Sequence, residues 1–168
     1  MAGALIVTAE LVPSDFAWLD RLRRLHFPAE RNQLPAHLTM FYALPPSAEG
    51  EIRRSVSRLV SEAPPHALIE GLMDLGGGVA FRVVSVELDG LRRDLAANFQ
   101  GLLSAQDAGG WRPHITIQNK VSPKDARALM ARLEQDFRPV TLGIAGFGLH
   151  RYRDGPWERI ATYNFRGR

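Results

Sequence analysis

Two copies of one four-residue pattern constrain this chain more than any other feature. His37-Leu38-Thr39-Met40 recurs 77 positions later as His114-Ile115-Thr116-Ile117. The strand-like stretch 6–11 recurs at the same spacing as 83–88. Because two separate segments share one register, we predict an internal duplication with units over about 5–84 and 82–166. We expect residues 1–168 to form a single bilobal domain, since this length can bury one proper core.

Each unit shows the same order of predicted elements. An amphipathic helix with apolar residues three or four apart follows the first strand, and a loop (27–36 or 104–113) leads to the histidine strand. A second helix then precedes two strands joined by a turn; these strands cover 68–73 and 79–84 in the first unit and 141–152 and 157–165 in the second. This order predicts an α+β fold with a pseudo-two-fold duplication: two antiparallel sheets face a central cleft, with helices on their outer faces.

The repeated pattern places particular side chains together. Side chains two positions apart on a strand point to the same face. One face is therefore expected to hold His37, Thr39 and Phe41 in the first unit and His114, Thr116 and Gln118 in the second. If the two units face each other, both sets line one cleft, where Phe41 and Gln118 hold a nucleobase by stacking and by an amide contact. Packing in the core is the alternative for Phe41.

Paired histidines suit a reaction that needs a general base and a general acid at once, because the unperturbed histidine pKa lies near neutrality. Hydrolysis of a phosphodiester is such a reaction, since the incoming water and the departing alkoxide lie on opposite sides of phosphorus. A threonine hydroxyl beside each histidine can donate to a non-bridging phosphate oxygen. His37 and His114 are the predicted catalytic pair, and Thr39 and Thr116 are predicted to bind the phosphate.

Three further residues extend the predicted site. Trp111 and Arg112 lie just before the second motif, where the indole is expected to stack on a nucleobase and the guanidinium to reach a phosphate. Tyr152 lies between two arginines at the end of a predicted strand, a mixture of basic and aromatic side chains that suits RNA. The alternatives are that the Trp–Arg pair shields the end of the sheet and that Tyr152 is an exposed turn residue.

Several other kinds of chemistry lack their usual sequence patterns. The chain contains no cysteine, which excludes thiolate metal sites and cysteine nucleophiles. No His-x-x-x-His or His-Glu pair occurs, and neither motif has an acidic residue within three positions. The Gly-x-Ser-x-Gly pattern of serine hydrolases is also absent. We therefore expect a reaction that uses neither a metal ion nor a cofactor.

Composition and charge bear on the binding partners and the cellular location of the protein. A net charge of +3 is too small for a protein that coats nucleic acid by bulk electrostatics. No apolar run approaches the roughly 18 to 20 residues of a membrane-spanning helix, so no membrane association is expected. The first residues lack the basic start of a secretory signal, which favours a cytoplasmic location. Because the duplication supplies both halves of the site, we expect a monomer.

The two His-apolar-Thr-apolar motifs, in a duplicated chain of this length, resemble those of the 2H phosphoesterase superfamily, in particular its bacterial 2'-5' RNA ligase and RNA cyclic phosphodiesterase branch. The resemblance implies a bilobal fold with both termini in one lobe. It also implies metal-independent opening of 2',3'-cyclic phosphates to 2'-phosphates. His37 and His114 correspond to the acid and base pair, in either order, and Thr39 and Thr116 to the phosphate-binding hydroxyls.

The sequence departs from the family pattern after the second motif. Many relatives carry a positive residue close behind it, whereas this chain continues Gln118-Asn119-Lys120. Lys120 and Arg112 are the two candidates for supplying this positive charge. The alternative is that neither residue supplies it. Three functions therefore follow as hypotheses: a cyclic phosphodiesterase acting on RNA ends or small cyclic nucleotides, a nucleotide- or RNA-binding module without turnover, and a 2'-5' RNA ligase.

Overall fold

Seven antiparallel strands and five helices make up the fold, which the computed structural model describes over residues 3–167. The strands are β1 (Leu5–Leu11), β2 (Leu38–Leu44), β3 (His66–Asp74), β4 (Val79–Val84), β5 (His114–Gln118), β6 (Val140–Tyr152) and β7 (Trp157–Asn164). The helices are α1 (Pro13–His26), α2 (Glu49–Leu59), α3 (Val86–Asn98), α4 (Ala105–Ala108) and α5 (Pro123–Asp136). The predicted α+β class is confirmed, and both predicted closing hairpins are present as β3–β4 and β6–β7.

Strand β6 joins the two halves of the sheet. The strand order is β2-β1-β6-β3-β4-β5, and β7 also pairs with β6. The first residues of β6 pair with β3, and its later residues pair with β1 and β7. Hydrogen bonding thus links the two expected sheets into one seven-stranded sheet, with β1 and β7 in the same half. The pseudo-two-fold relation between the halves stays a prediction.

The two histidine strands occupy the two ends of this strand order. Nevertheless β2 and β5 contact each other, so the sheet curls and brings its two edges together. The first helix of each unit packs on the half that holds the other histidine strand. Trp18 of α1 packs edge-on against Phe81 of β4, and Phe99, the residue that follows α3, packs edge-on against Phe41 of β2. The tertiary packing therefore interleaves the two units.

The predicted strand at 83–88 is wrong. β4 ends at Val84, and Ser85 is the N-cap of α3, where its hydroxyl accepts a hydrogen bond from the Leu88 N–H at 3.0 Å. Two acidic residues, Glu87 and Asp89, occupy the first turn and stabilise the positive end of the helix dipole. This capping outweighs the alternating pattern that suggested a strand. Among the described residues, no helix is long and apolar enough to cross a membrane.

Candidate active site

His37 lies immediately before β2, and its ring is held by a backbone carbonyl two residues earlier in the chain. Its Nδ1 lies 2.8 Å from the carbonyl oxygen of Pro35. Because a carbonyl oxygen can only accept, Nδ1 carries the proton and Nε2 of the neutral ring is unprotonated. The ring is half-buried, which leaves part of it open to a ligand.

His114 opens β5 and repeats this geometry. Its Nδ1 lies 2.8 Å from the carbonyl oxygen of Arg112, again two residues earlier in the chain. The same tautomer follows, with Nε2 of the neutral ring left to accept a proton or, when protonated, to donate one. His114 is also half-buried. The two predicted catalytic histidines thus share one local arrangement.

Burial and nearby positive charge act on His37. The pKa of His37 is lowered to about 4, mainly by desolvation and in smaller part by the charges of Arg23, His150 and His114, while the hydrogen bond to the Pro35 carbonyl acts in the opposite direction. Because the charge of His114 also lowers this pKa, the two motif histidines lie close enough for their charges to interact. His37 is therefore neutral at pH 7.

The two motif threonines have hydroxyls that form no hydrogen bond to any described residue, but their carbonyl oxygens are both held. The indole N–H of Trp111 donates to the Thr39 carbonyl at 3.0 Å, and a guanidinium N–H of Arg23 donates to the Thr116 carbonyl at 3.0 Å. Thr39 is buried opposite Thr8 of β1, and Thr116 is half-buried opposite Ala80 of β4. The backbone is thus fixed while each hydroxyl keeps its hydrogen-bonding capacity.

Phe41 and Gln118 do not share a face with the motif residues, which corrects the prediction for both. The register shifts between the pairs Thr8–Thr39 and Val7–Phe41, so a bulge turns Phe41 onto the face of buried Val7. A matching shift in β5 places Gln118 opposite Val79, which is also fully buried. Phe41 is 0% exposed and packs on Phe99. The rule of side-chain alternation failed because each histidine strand contains an extra residue.

Buried charged side chains form hydrogen bonds with the backbone groups that β2, an edge strand, leaves unpaired. A guanidinium N–H of Arg92 donates to the Met40 carbonyl at 2.9 Å, and the Asp107 carboxylate accepts the N–H groups of Tyr42 and Ala43 at 2.8 and 3.0 Å. Arg23 acts on β5 in the same way, and burial lowers its pKa to about 10. These bonds cover the unpaired groups that an edge strand presents and hold the two histidine strands at a fixed separation.

The other predicted site residues lie at different distances from the histidines. Trp111, Arg112 and His114 line one small cavity of about 220 Å³, together with Tyr42 of β2. The indole N–H of Trp111 is already used by Thr39, and the Arg112 side chain is exposed. Tyr152 is half-buried at the end of β6, opposite Trp157 of β7. Sequence reasoning thus placed two of these three beside a motif histidine.

Sequence reasoning missed several residues beside His37. Trp157 packs on His37 with 4.7 Å between ring centroids, and on His150 at 5.5 Å. Thr8 donates to the Glu10 carboxylate at 2.7 Å and lies 3.0 Å from Nε2 of His150. The sequence signal for Thr8 and Glu10 is that these two polar residues lie two positions apart in the strand-like stretch 6–11. Nothing in the sequence indicated that β6 and β7 would bring His150 and Trp157 to them.

A polar network therefore supports the first histidine. Because the one hydroxyl proton of Thr8 goes to Glu10, Nε2–H of His150 must donate to Thr8. Burial lowers the pKa of His150 to about 4, so this ring is neutral at pH 7. Arg159 completes the network through an ion pair with Glu10. Within residues 3–167, no group of three or more His, Asp or Glu side chains is placed to hold a metal ion.

Comparison with known families and structures gives a consistent result. A family model described as the 2'-5' RNA ligase superfamily matches residues 11–156. No curated protein that was compared with the chain matches it. Among solved structures, protein TT0787 of Thermus thermophilus is 20% identical with a TM-score of 0.67, and the alignment covers 98% of each chain.

Escherichia coli LigT shows a similar fold. Its complex with NADP+ is 14% identical with a TM-score of 0.62, covering 98% of this chain and 99% of LigT. Its complex with 3'-AMP gives 14% identity and a TM-score of 0.57 over the same shares. At these identities the likeness establishes the fold of the chain.

Proposed function

The chain belongs to the 2'-5' RNA ligase superfamily, and from that membership we propose that it is a metal-independent phosphodiesterase. Its substrate is a 2',3'-cyclic phosphate at an RNA end or on a small nucleotide, and its product is the 2'-phosphate. The observation that carries this proposal is the pair of His37 and His114, each with Nδ1 bonded to the carbonyl two residues earlier. Membership of a superfamily that includes RNA ligases supports phosphoryl transfer, and the nucleotides bound by LigT support a nucleotide substrate.

The proposed reaction uses the two histidines on opposite sides of phosphorus. His37 is neutral at pH 7 because burial lowers its pKa, so its Nε2 takes a proton from water as the water oxygen bonds to phosphorus. His114 donates a proton to the 3' oxygen as the bond between phosphorus and that oxygen breaks. The products are a 2'-phosphate and a 3'-hydroxyl, and the two histidines have exchanged protonation states.

The two threonines and one arginine are proposed to hold the phosphate. The free hydroxyls of Thr39 and Thr116 donate to non-bridging oxygens as negative charge develops there. Arg112 is the better candidate for the missing positive charge, since its exposed side chain lines the same cavity as His114. Lys120 lies beyond the end of β5, in a left-handed turn with φ of 65°.

The matched features of the two motifs support the proposed duplication. Both histidines bond to a carbonyl two residues earlier, and both strands carry a bulge after the threonine.

We infer that the whole chain is one bilobal domain that works as a monomer, because a single chain supplies both motifs. Light scattering coupled to gel filtration checks this; a mass of twice the 18.7 kDa of the chain contradicts it.

The test is hydrolysis of adenosine 2',3'-cyclic phosphate, and of a short RNA with a cyclic phosphate end, in the presence of EDTA. Wild type is compared with His37→Ala and His114→Ala, and with His66→Ala as control. His66 is exposed on β3 and pairs with Glu87. Each motif variant should lose about 10² to 10⁴ of kcat, the usual contribution of a general acid or base. The control should retain full activity.

The alternatives give different results in the same assay. A binding module would bind nucleotide tightly, form no product, and keep its binding in His37→Ala. A ligase would join the cyclic phosphate end to an added RNA with a 5'-hydroxyl end. Absence of turnover by folded wild type on both substrates would overturn the phosphodiesterase proposal.

A further inference from the structure

A cavity lined by His37 has no role in the proton transfers above. Its volume is about 390 Å³, within the range of pockets that bind small organic ligands. Its walls come from β1, the start of α1, the loop before β2, and the paired strands β6 and β7. It does not include the second motif. The cavity is therefore a compartment on the His37 side only.

One wall of this cavity is apolar and aromatic. Phe16 of α1, Leu34 and Pro13 contribute to it together with Trp157. Phe16 is 37% exposed, a large hydrophobic side chain whose burial is left incomplete by the fold. Trp157 is half-buried and already packs on the ring of His37. This wall is suited to a flat aromatic group that stacks on or packs against rings.

The opposite part of the cavity is polar and held in place. His150, Thr8, Glu10 and Arg159 all line it and are joined to one another by hydrogen bonds and an ion pair. Gly148 lies beneath them, where a Cβ atom would fall 2.7 to 2.8 Å from polar atoms of Thr8, Glu10 and His150. Carboxylate and guanidinium groups supply acceptors and donors for the edge of a ligand.

We propose that this cavity binds a nucleobase of the substrate. The inference rests on the proposed function, because it takes the reacting phosphate to lie at His37. A group bound in the cavity would lie next to His37, the residue that activates water. In a nucleotide the nucleobase is joined to the phosphate through one ribose, so a nucleobase in the cavity leaves the phosphate beside His37. An aromatic wall and a hydrogen-bonding wall match the face and the edge of a nucleobase.

The nucleobase has two possible sources in one substrate. It belongs either to the nucleoside that carries the cyclic phosphate or to the neighbouring nucleotide of the RNA. Adenosine 2',3'-cyclic phosphate offers only the first, whereas the dinucleotide ApA with a terminal cyclic phosphate offers both. Glycerol 1,2-cyclic phosphate contains the reacting group and no nucleobase.

The test is the effect of Phe16→Ala on these three substrates. Phe16 lines the cavity and lies on α1, outside both histidine motifs, so its removal should act on binding rather than on proton transfer. We expect KM for at least one nucleotide substrate to rise about 5- to 100-fold, the effect of losing one stacking partner. For glycerol 1,2-cyclic phosphate, kcat/KM should stay unchanged. Leu25→Ala is the matched control, since Leu25 lies on the same helix and is 71% exposed.

The outcomes separate the possibilities. A rise in KM for adenosine 2',3'-cyclic phosphate assigns the cavity to the terminal nucleobase, and a rise for the dinucleotide alone assigns it to the neighbouring one. An equal loss on all three substrates, or no change on any, overturns the proposal. If wild type turns over none of them, calorimetric binding of the dinucleotide ApA with a terminal 2'-phosphate, which offers both nucleobases, still decides, because Phe16→Ala should weaken it and should not weaken binding of inorganic phosphate.

Discussion

The indole N–H of Trp111 donates a hydrogen bond to the carbonyl oxygen of Thr39 at 3.0 Å. This single bond joins the loop before the second histidine to the strand that follows the first. Arg23 makes the reverse connection, from the helix of the first unit to the carbonyl of Thr116. The two motifs are therefore fixed relative to each other by side chains that take no direct part in the proposed proton transfers.

Trp111→Phe should lower kcat several-fold, because the ring stays while the bond to Thr39 is lost. The free energy of unfolding should fall by about 1 kcal/mol, the usual net value of such a bond. Trp18→Phe is the control: it loses a comparable bond, from the indole to Asp15 at 3.0 Å, and this bond does not hold either histidine strand. Equal effects of the two variants on kcat, measured with adenosine 2',3'-cyclic phosphate, would contradict a positioning role for Trp111.

The activity should persist to unusually acidic pH. A general base works when it is unprotonated, and burial lowers the pKa of His37 to about 4. On the acid side of the pH profile we expect kcat/KM to fall only near pH 4, as His37 becomes protonated. Trp157→Ala exposes the ring to water and should move this acid limb to higher pH. A wild-type acid limb near the ordinary histidine pKa would assign the general base to another group.

The hydroxyl of Thr116 should matter through hydrogen bonding and not through size. Thr116→Val keeps the shape of the side chain and removes its donor, so kcat/KM should fall about 10- to 100-fold. Thr116→Ser keeps the donor and should recover most of the activity. Identical rates for the valine and serine variants in the cyclic phosphate assay would show that this hydroxyl does not contact the phosphate.

Acid should destabilise the fold through His150. The folded protein binds a proton at His150 only near pH 4, whereas the unfolded chain binds it near the ordinary value of 6.5. The unfolded state therefore holds more protons between these values, and the free energy of unfolding falls as pH decreases. From pH 7 to pH 5 this group alone should cost about 1 to 2 kcal/mol. Urea unfolding of His150→Gln should show a shallower pH dependence than wild type; parallel curves would refute the assignment.

Gly148 should be intolerant of substitution even though its backbone is ordinary extended strand. An alanine Cβ there would lie under 3 Å from Thr8, Glu10 and His150, so we expect Gly148→Ala to cost about 1 to 3 kcal/mol. Gly110→Ala is the matched control, because nothing lies within 4 Å of its added Cβ. Chemical denaturation of both variants measures the difference, and equal stabilities would show that the network around His150 yields easily.

The local sequence determined the order of elements and the positions of the motif residues. Periodicity of two or about 3.6 residues and a serine at a helix start act over a few residues, so helix α5 and its cap Ser122 are readable from the sequence, as are both closing hairpins. The repeat of His-x-Thr by itself identified the candidate catalytic residues. The hydrogen bond from each motif histidine to the carbonyl oxygen two residues earlier is also local.

Tertiary structure decided which face each residue occupies and which strands meet. The bulges that turn Phe41 and Gln118 away depend on pairing with β1 and β4, and such pairing is set by packing against distant segments. The same holds for Trp157 and His150, which reach His37 because β6 runs through both halves of the sheet. Contacts between residues more than a hundred positions apart depend on the summed packing of the core, and that sum leaves no short-range pattern in the chain.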